Sequence, residues 1–164
     1  MIKTDNQKNR ITSDFTKAIK EFELYEKFYL SLSDNGKKYL KSQSTKYKRA
    51  SEADLRDLLK CDGLAIGSPE HFGYMAGMVK DFFDRTYNEA HGKKEAFKKP
   101  YVVFISAGND GTGALNNIER ICTGYQFKKV YDPVVAKGEI DRDILIRCDE
   151  LGKTTATRCK EGIY

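Results

Sequence analysis

The sequence predicts one α/β domain, residues 1–164, in which a mostly parallel sheet is sandwiched between helices. Two observations carry this. Short β-branched or aromatic runs alternate with segments of helical periodicity through most of the chain, and such alternation implies parallel strands joined by helical crossovers. Two loops of unusual content, Ser68–Gly73 and Ala107–Gly113, follow apolar strand-like runs, and in open α/β sheets ligands sit outside the carboxyl ends of the strands.

The elements follow in order. Ile11, Phe15, Ile19 and Phe22 recur at helical spacing, with Thr12 or Ser13 as cap. Phe28, Leu30 and Leu32 alternate with Tyr29, Ser31 and Ser33, a strand pattern ended by Asp34-Asn35-Gly36. Ser51 reads as the cap of a helix with an acidic start and an apolar face of Leu55, Leu58 and Leu59. Leu64 to Gly67 is a short strand that Ser68-Pro69 is expected to stop. Met75, Met78, Val79, Phe82 and Phe83 form a helical core stripe. Tyr101 to Ile105 is the most strand-like run, and a glycine-rich loop follows it. Leu115, Ile118, Ile121 and Cys122 give the next helix, with Gly124 just past its end. Phe127 to Tyr131 is a strand closed by Asp132-Pro133, and a last helix starts near Asp141.

Composition narrows the function classes. Hydrophobic residues make up 40% and charged residues 32%, the balance of a soluble globular domain. No run is long and apolar enough for a membrane span, and Met1–Arg10 is polar, so a cytoplasmic location without membrane association is expected. The four cysteines, Cys61, Cys122, Cys148 and Cys159, have no metal-binding spacing and read as small buried thiols. Net charge is +5, but Lys37–Arg49 holds six cations and no acid, so the remainder carries −1. This local patch suits either an anionic partner or solvent; with only Tyr39 and Tyr47 interleaved, it argues against nucleic acid as the partner.

The run from Asp62 to Thr86, DGLAIGSPEHFGYMAGMVKDFFDRT, is similar to the middle signature of one flavoprotein superfamily. That group includes NADPH-dependent FMN reductases and the NAD(P)H:quinone oxidoreductases first named as tryptophan-repressor-binding proteins. Its pattern is a strand, G-S/T-P-x-x-F/Y-G, then a helix ending in L/F-D-R/Q-T. Lys99-Pro100, the loop Ser106–Gly113 and Glu150-Leu151-Gly152-Lys153 agree, so the resemblance runs from about Leu55 to Ala156. It implies a flavodoxin-like three-layer sandwich. It also implies an FMN site built from Ser68, Pro69, Glu70, His71, Phe72 and Gly73 on one side and Ala107, Gly108, Asn109, Asp110, Gly111 and Gly113 on the other. No catalytic side chain is implied: backbone N–H groups would bond the flavin, and glycines would let the backbone approach it. NAD(P)H would be the co-substrate, and a quinone or free flavin the acceptor. Homo-oligomers are common in such families, with Phe82, Phe83 and Tyr87 as candidate aromatic surface.

The N-terminus departs from the family pattern. The family's first strand and Ser/Thr/Gly/Asn-rich phosphate loop have no counterpart in Met1–Ile11, which holds no glycine. The first strand is therefore read as missing or degenerate, and the reading frame is expected to extend upstream of Met1. A rearranged sheet, or a strand supplied by another segment or chain, would equally account for the gap. Two further functions stay open: a degenerate interaction or regulatory domain that no longer holds FMN tightly, and a one-electron carrier like short flavodoxins, which the basic charge disfavours.

Overall fold

A computed structural model describes residues 48–162. The helix and strand predicted over 11–33, most of the basic stretch and the missing first strand lie outside the described residues.

Helix α1 (Leu55–Lys60) is capped by Asp54 rather than Ser51. The Asp54 carboxylate accepts from the Asp57 amide at 2.9 Å, and Asp57 accepts from the Asp54 amide at 3.1 Å. Two Asp residues thus form the reciprocal box usually built from Ser/Thr and Glu/Gln, which is why Ser51 looked the better cap. Lys48 pairs with Asp57 at 2.7 Å, and this bond, chiefly, holds the Asp57 carboxyl below its ordinary range.

Strand β1 (Leu64–His71) does not stop at Ser68-Pro69; it continues in register with β3 (Pro100–Ala107) as far as Pro69 opposite Ser106, then pairs with the two-residue β2 (Tyr74–Met75). Phe72 and Gly73 make the tight turn between β1 and β2, both at positive φ, as a two-residue primed hairpin turn requires. Helix α2 (Gly77–Ala90), α3 (Thr112–Gly124) and α4 (Arg142–Glu161) complete the layers. Gly124 is the last residue of α3, and Tyr125 caps it. The last helix starts where expected, near Asp141, which caps α4 by accepting from the Ile144 amide at 2.8 Å.

The sheet runs β2-β1-β3, with the outer edge of β3 shared by two short strands: β4 (Lys128–Lys129) beside its start and β5 (Val134–Lys137) beside its end. The sequence pattern predicts a last strand that stops at Asp132-Pro133. In fact that dipeptide is a break within one edge, and pairing resumes at Val134. β1 and β3, and β3 with both β4 and β5, are parallel. Buried on both faces, β3 sorts its side chains by alternation. Tyr101, Val103 and Ile105 join the core under α1, α2 and α3, whereas Val102 joins Val134, Cys148 and Leu151 under α4. Each such buried aliphatic contributes roughly 1.5–3 kcal/mol. Among the described residues no strand pairs Leu64–Pro69 on the side of β1 away from β3.

The stripe predicted for α2 is only partly core. Met75 belongs to β2 and is buried, as are Val79 and Phe83, but Met78 is exposed. Phe83 is therefore not surface available for association; Tyr87 is partly exposed. The D-R-T end of the signature has structural work. Arg85 donates to the carbonyls of Ala50 and Ala53 and to Asp81, tying α2 to the segment before α1. The Thr86 hydroxyl bonds the Tyr125 hydroxyl at 2.7 Å, and Tyr125 also donates to the Phe83 carbonyl at 2.5 Å. Burial pushes the Tyr125 phenol up to about 12, so it remains a donor at neutral pH.

Candidate functional site

Beyond the carboxyl ends of β1 and β3, the β1–β2 hairpin and the loop after β3 face one another across a cavity of about 490 Å³. Glu70, Phe72 and Gly73 form one wall; Gly108, Asn109, Asp110, Thr112 and Gly113 form the other. The two walls touch at their base. A Cβ on Gly113 would lie 1.9 Å from the Gly73 carbonyl oxygen, so only glycine fits at the contact.

The hairpin tip is unusual. Phe72 is fully exposed and has φ of 51°, a conformation costly for a bulky side chain. The turn thus holds an aromatic ring in solvent at the rim of the cavity, on strained backbone. The opposite wall is organised around the start of α3, where Gly111 has φ of 74° and no side chain to cap with. Asp110 accepts from the Thr112 amide at 2.9 Å. That bond, above all, keeps its carboxyl below the ordinary range, with the Lys137 charge adding to the effect.

The Glu70 carboxylate reaches across from β1. One oxygen accepts from the Gly113 and Ala114 amides at 3.0 and 3.2 Å; the other accepts from Gly111 at 3.1 Å. These contacts span 41 to 44 residues of sequence, which is why they are not visible in it. Among the described residues, the amides of Phe72, Gly73, Gly108, Asn109 and Asp110 make no backbone–backbone bond outside the regular elements.

Seven of the residues expected at the site, Glu70, Phe72, Gly73, Gly108, Asn109, Asp110 and Gly113, line the cavity. The other five do not. Ser68 is buried beneath the hairpin; its hydroxyl accepts from the Ala76 amide at 2.9 Å and donates to the Pro69 carbonyl at 2.8 Å. Pro69 and His71 lie within β1. Ala107 ends β3 and accepts from the Gly138 amide. Gly111 backs onto Val135 and Ile105, with its amide given to Glu70. Thr112 lines the cavity and was not singled out in the sequence, although it follows the Asp110-Gly111 turn that starts the helix.

The thiols supply no nucleophile here. Cys122 and Cys148 are buried, Cys61 and Cys159 partly so, and desolvation raises the pKa of all four, that of Cys148 to about 11. Thiolate, the reactive form, is thereby disfavoured. No group of three or more His, Cys, Asp or Glu side chains among the described residues could hold a metal ion, and no described helix is long and apolar enough to cross a membrane.

A family model described as NADPH-dependent FMN reductase matches residues 5–139, taking in both walls of the cavity. The chain belongs to that family. A flavodoxin of Aquifex aeolicus (strain VF5) is 33% identical over 78 residues, which is 48% of this chain and 41% of that protein. The chain thus matches about two fifths of that relative's length. Among solved structures, a flavodoxin from the domain Archaea has 20% identity and a TM-score of 0.62, over 76% of this chain and 85% of that one. A WrbA-like flavodoxin from Agrobacterium tumefaciens has 16% identity and a TM-score of 0.58, over 65% and 71%. The flavodiiron protein from Giardia intestinalis has 18% identity and a TM-score of 0.62, over 83% and 34%. At these identities the structures establish the flavodoxin-like α/β fold. The chain is thus a flavodoxin-like member of an FMN reductase family.

Proposed function

We propose that this chain binds FMN in the cavity between hairpin and glycine loop and works as an NAD(P)H-dependent oxidoreductase delivering electrons to a small acceptor such as a quinone or flavin. The observation that carries the reading is the facing of two sets of backbone amides, Phe72-Gly73 and Gly108–Asp110, across a cavity in a chain of the FMN reductase family.

The residues fit the flavin's ring. The cavity lies within the range of about 300–1,000 Å³ usual for small-molecule sites. Its walls offer amide donors for a polar ring edge, and Phe72 offers an apolar face. When bound, FMN supplies two-electron redox chemistry, accepting hydride and passing electrons on singly or in pairs. The chain's own part is to hold and orient: Gly73 and Gly113 bring the walls close, and the amides of Gly108, Asn109 and Asp110 bond the ring edge.

In the test, FMN-loaded protein is mixed anaerobically with NADH or NADPH, and a soluble quinone is then added. The expected result is loss of the flavin's visible absorbance with one of the nicotinamides and its return, with one equivalent of quinone consumed. Loaded protein that neither nicotinamide reduces without a partner reductase would identify a carrier instead.

A further inference from the structure

The start of α3 carries four amides without partners inside the helix, the ordinary condition of a helix N-terminus. Two carboxylates satisfy all four: Asp110 takes Thr112, and Glu70 takes Gly111, Gly113 and Ala114. Asp110 is a local cap two residues away. Glu70 comes from the opposite wall, one residue before the end of β1, where its backbone is fixed by pairing with Met75 in the hairpin. Charged acceptors make hydrogen bonds about twice as strong as neutral ones, and the positive end of the helix dipole adds to this. A carboxylate with three donors therefore bolts one wall to the other. The Gly73–Gly113 backbone contact sits beside this bolt.

We propose that Glu70 is a positioning residue whose carboxylate, bound to the N-terminus of α3, sets the spacing of the two walls before any ligand arrives and keeps anions off that helix end. Glu70 was expected to contact flavin; the structure spends both its oxygens on the protein. A ligand's polar edge is left the amides of Gly108–Asp110 and Phe72-Gly73, with a negative charge already fixed in the wall. The part of this inference that concerns affinity rests on FMN being the ligand; the clamp itself does not.

The experiment compares Glu70→Ala, Glu70→Gln and the unsubstituted chain by residue-resolved amide hydrogen exchange without ligand, and by FMN titration, each with and without added sodium acetate. In Glu70→Ala, exchange at Gly111, Gly113 and Ala114 is expected to rise at least about tenfold while Ile118 in mid-helix is unchanged, and the FMN dissociation constant to rise about tenfold. Acetate, a carboxylate that fits the vacated place, restores protection and affinity in the Ala variant and leaves the unsubstituted chain as it was. Gln restores little, because its amide nitrogen opposes one of the donors. Unchanged exchange at the three amides in Glu70→Ala, or a rise shared equally by Ile118 and indifferent to acetate, overturns the clamp. If exchange behaves as expected but no protein binds FMN, the clamp stands and the proposed ligand falls.

Discussion

Phe83→Ala is expected to lower the free energy of unfolding by about 3–5 kcal/mol, the range for deleting a buried aromatic ring. Phe83 is 2% exposed. Its ring lies 5.5 Å from that of Phe82 and 5.6 Å from that of Tyr125, centroid to centroid. Tyr125 in turn stacks against Phe127 at 4.8 Å, and Phe127 approaches Tyr101 on β3 at 6.4 Å. Phe83 is thus the inner end of an aromatic chain that joins α2, the end of α3 and the central strand. Removing it leaves a hole whose walls are held apart by the Tyr125 hydroxyl, bonded to the Phe83 carbonyl and to Thr86. The site cannot easily collapse, which puts the cost toward the upper end. Against a typical net stability of about 5–15 kcal/mol, this is a severe loss. Urea denaturation followed by circular dichroism measures it; a change below about 1 kcal/mol would contradict the packing described. Phe82, only partly buried, gives the milder variant for comparison.

Gly113→Ala is expected to weaken FMN binding at least about 100-fold, about 2.7 kcal/mol, with a much smaller loss of thermal stability. The added methyl would stand 1.9 Å from the Gly73 carbonyl oxygen and 2.7 Å from its carbon. Both are backbone atoms, so no side-chain rotation relieves the clash, and the hairpin has to move. That movement opens the cavity, pulls the Gly113 amide from Glu70 and shifts the Phe72-Gly73 tip. Helical alanine is otherwise favourable, by close to about 1 kcal/mol over glycine, and no core contact is lost. Gly77, also helical but with open space around it, is the control: Gly77→Ala is expected to leave binding unchanged. Titration of the three proteins with FMN by fluorescence quenching measures the difference, and equal affinity in Gly113→Ala would show that the walls are not held at this contact.

The fold was legible where the information is local. A nearly uninterrupted β-branched and aromatic run placed β3, helical periodicity placed α2 to α4, and Asp141 marked the start of α4. The errors have local causes too. Pro69 looked like a stop, yet the strand ends only at the Phe72-Gly73 turn. Asp132-Pro133 looked like the end of an edge strand and is only a gap in it, because β3 is long enough to pair with a piece on either side. Met78 has the right spacing but faces out, since the chain bends into β2 before the helix begins. At the site, the two loops could be read from their likeness to a family. The division of labour within them could not. Nothing in Gly-Ser-Pro-Glu says that the serine is buried under the hairpin and the glutamate bonded to a helix start 41 residues away. The one available hint was a helix that begins Gly111-Thr112-Gly113 with no side chain at its cap, with an acid, Glu70, in the facing loop.

The central claim, that this chain holds FMN between the hairpin and the glycine loop, is tested most directly by following backbone amide resonances of the chain during titration with FMN. The expected result is saturable binding at micromolar concentration or tighter, about −8 kcal/mol or better, with the largest shifts at Phe72, Gly73, Gly108, Asn109 and Asp110. Saturation with shifts confined to other residues, or none of these five amides moving at millimolar FMN, would contradict it.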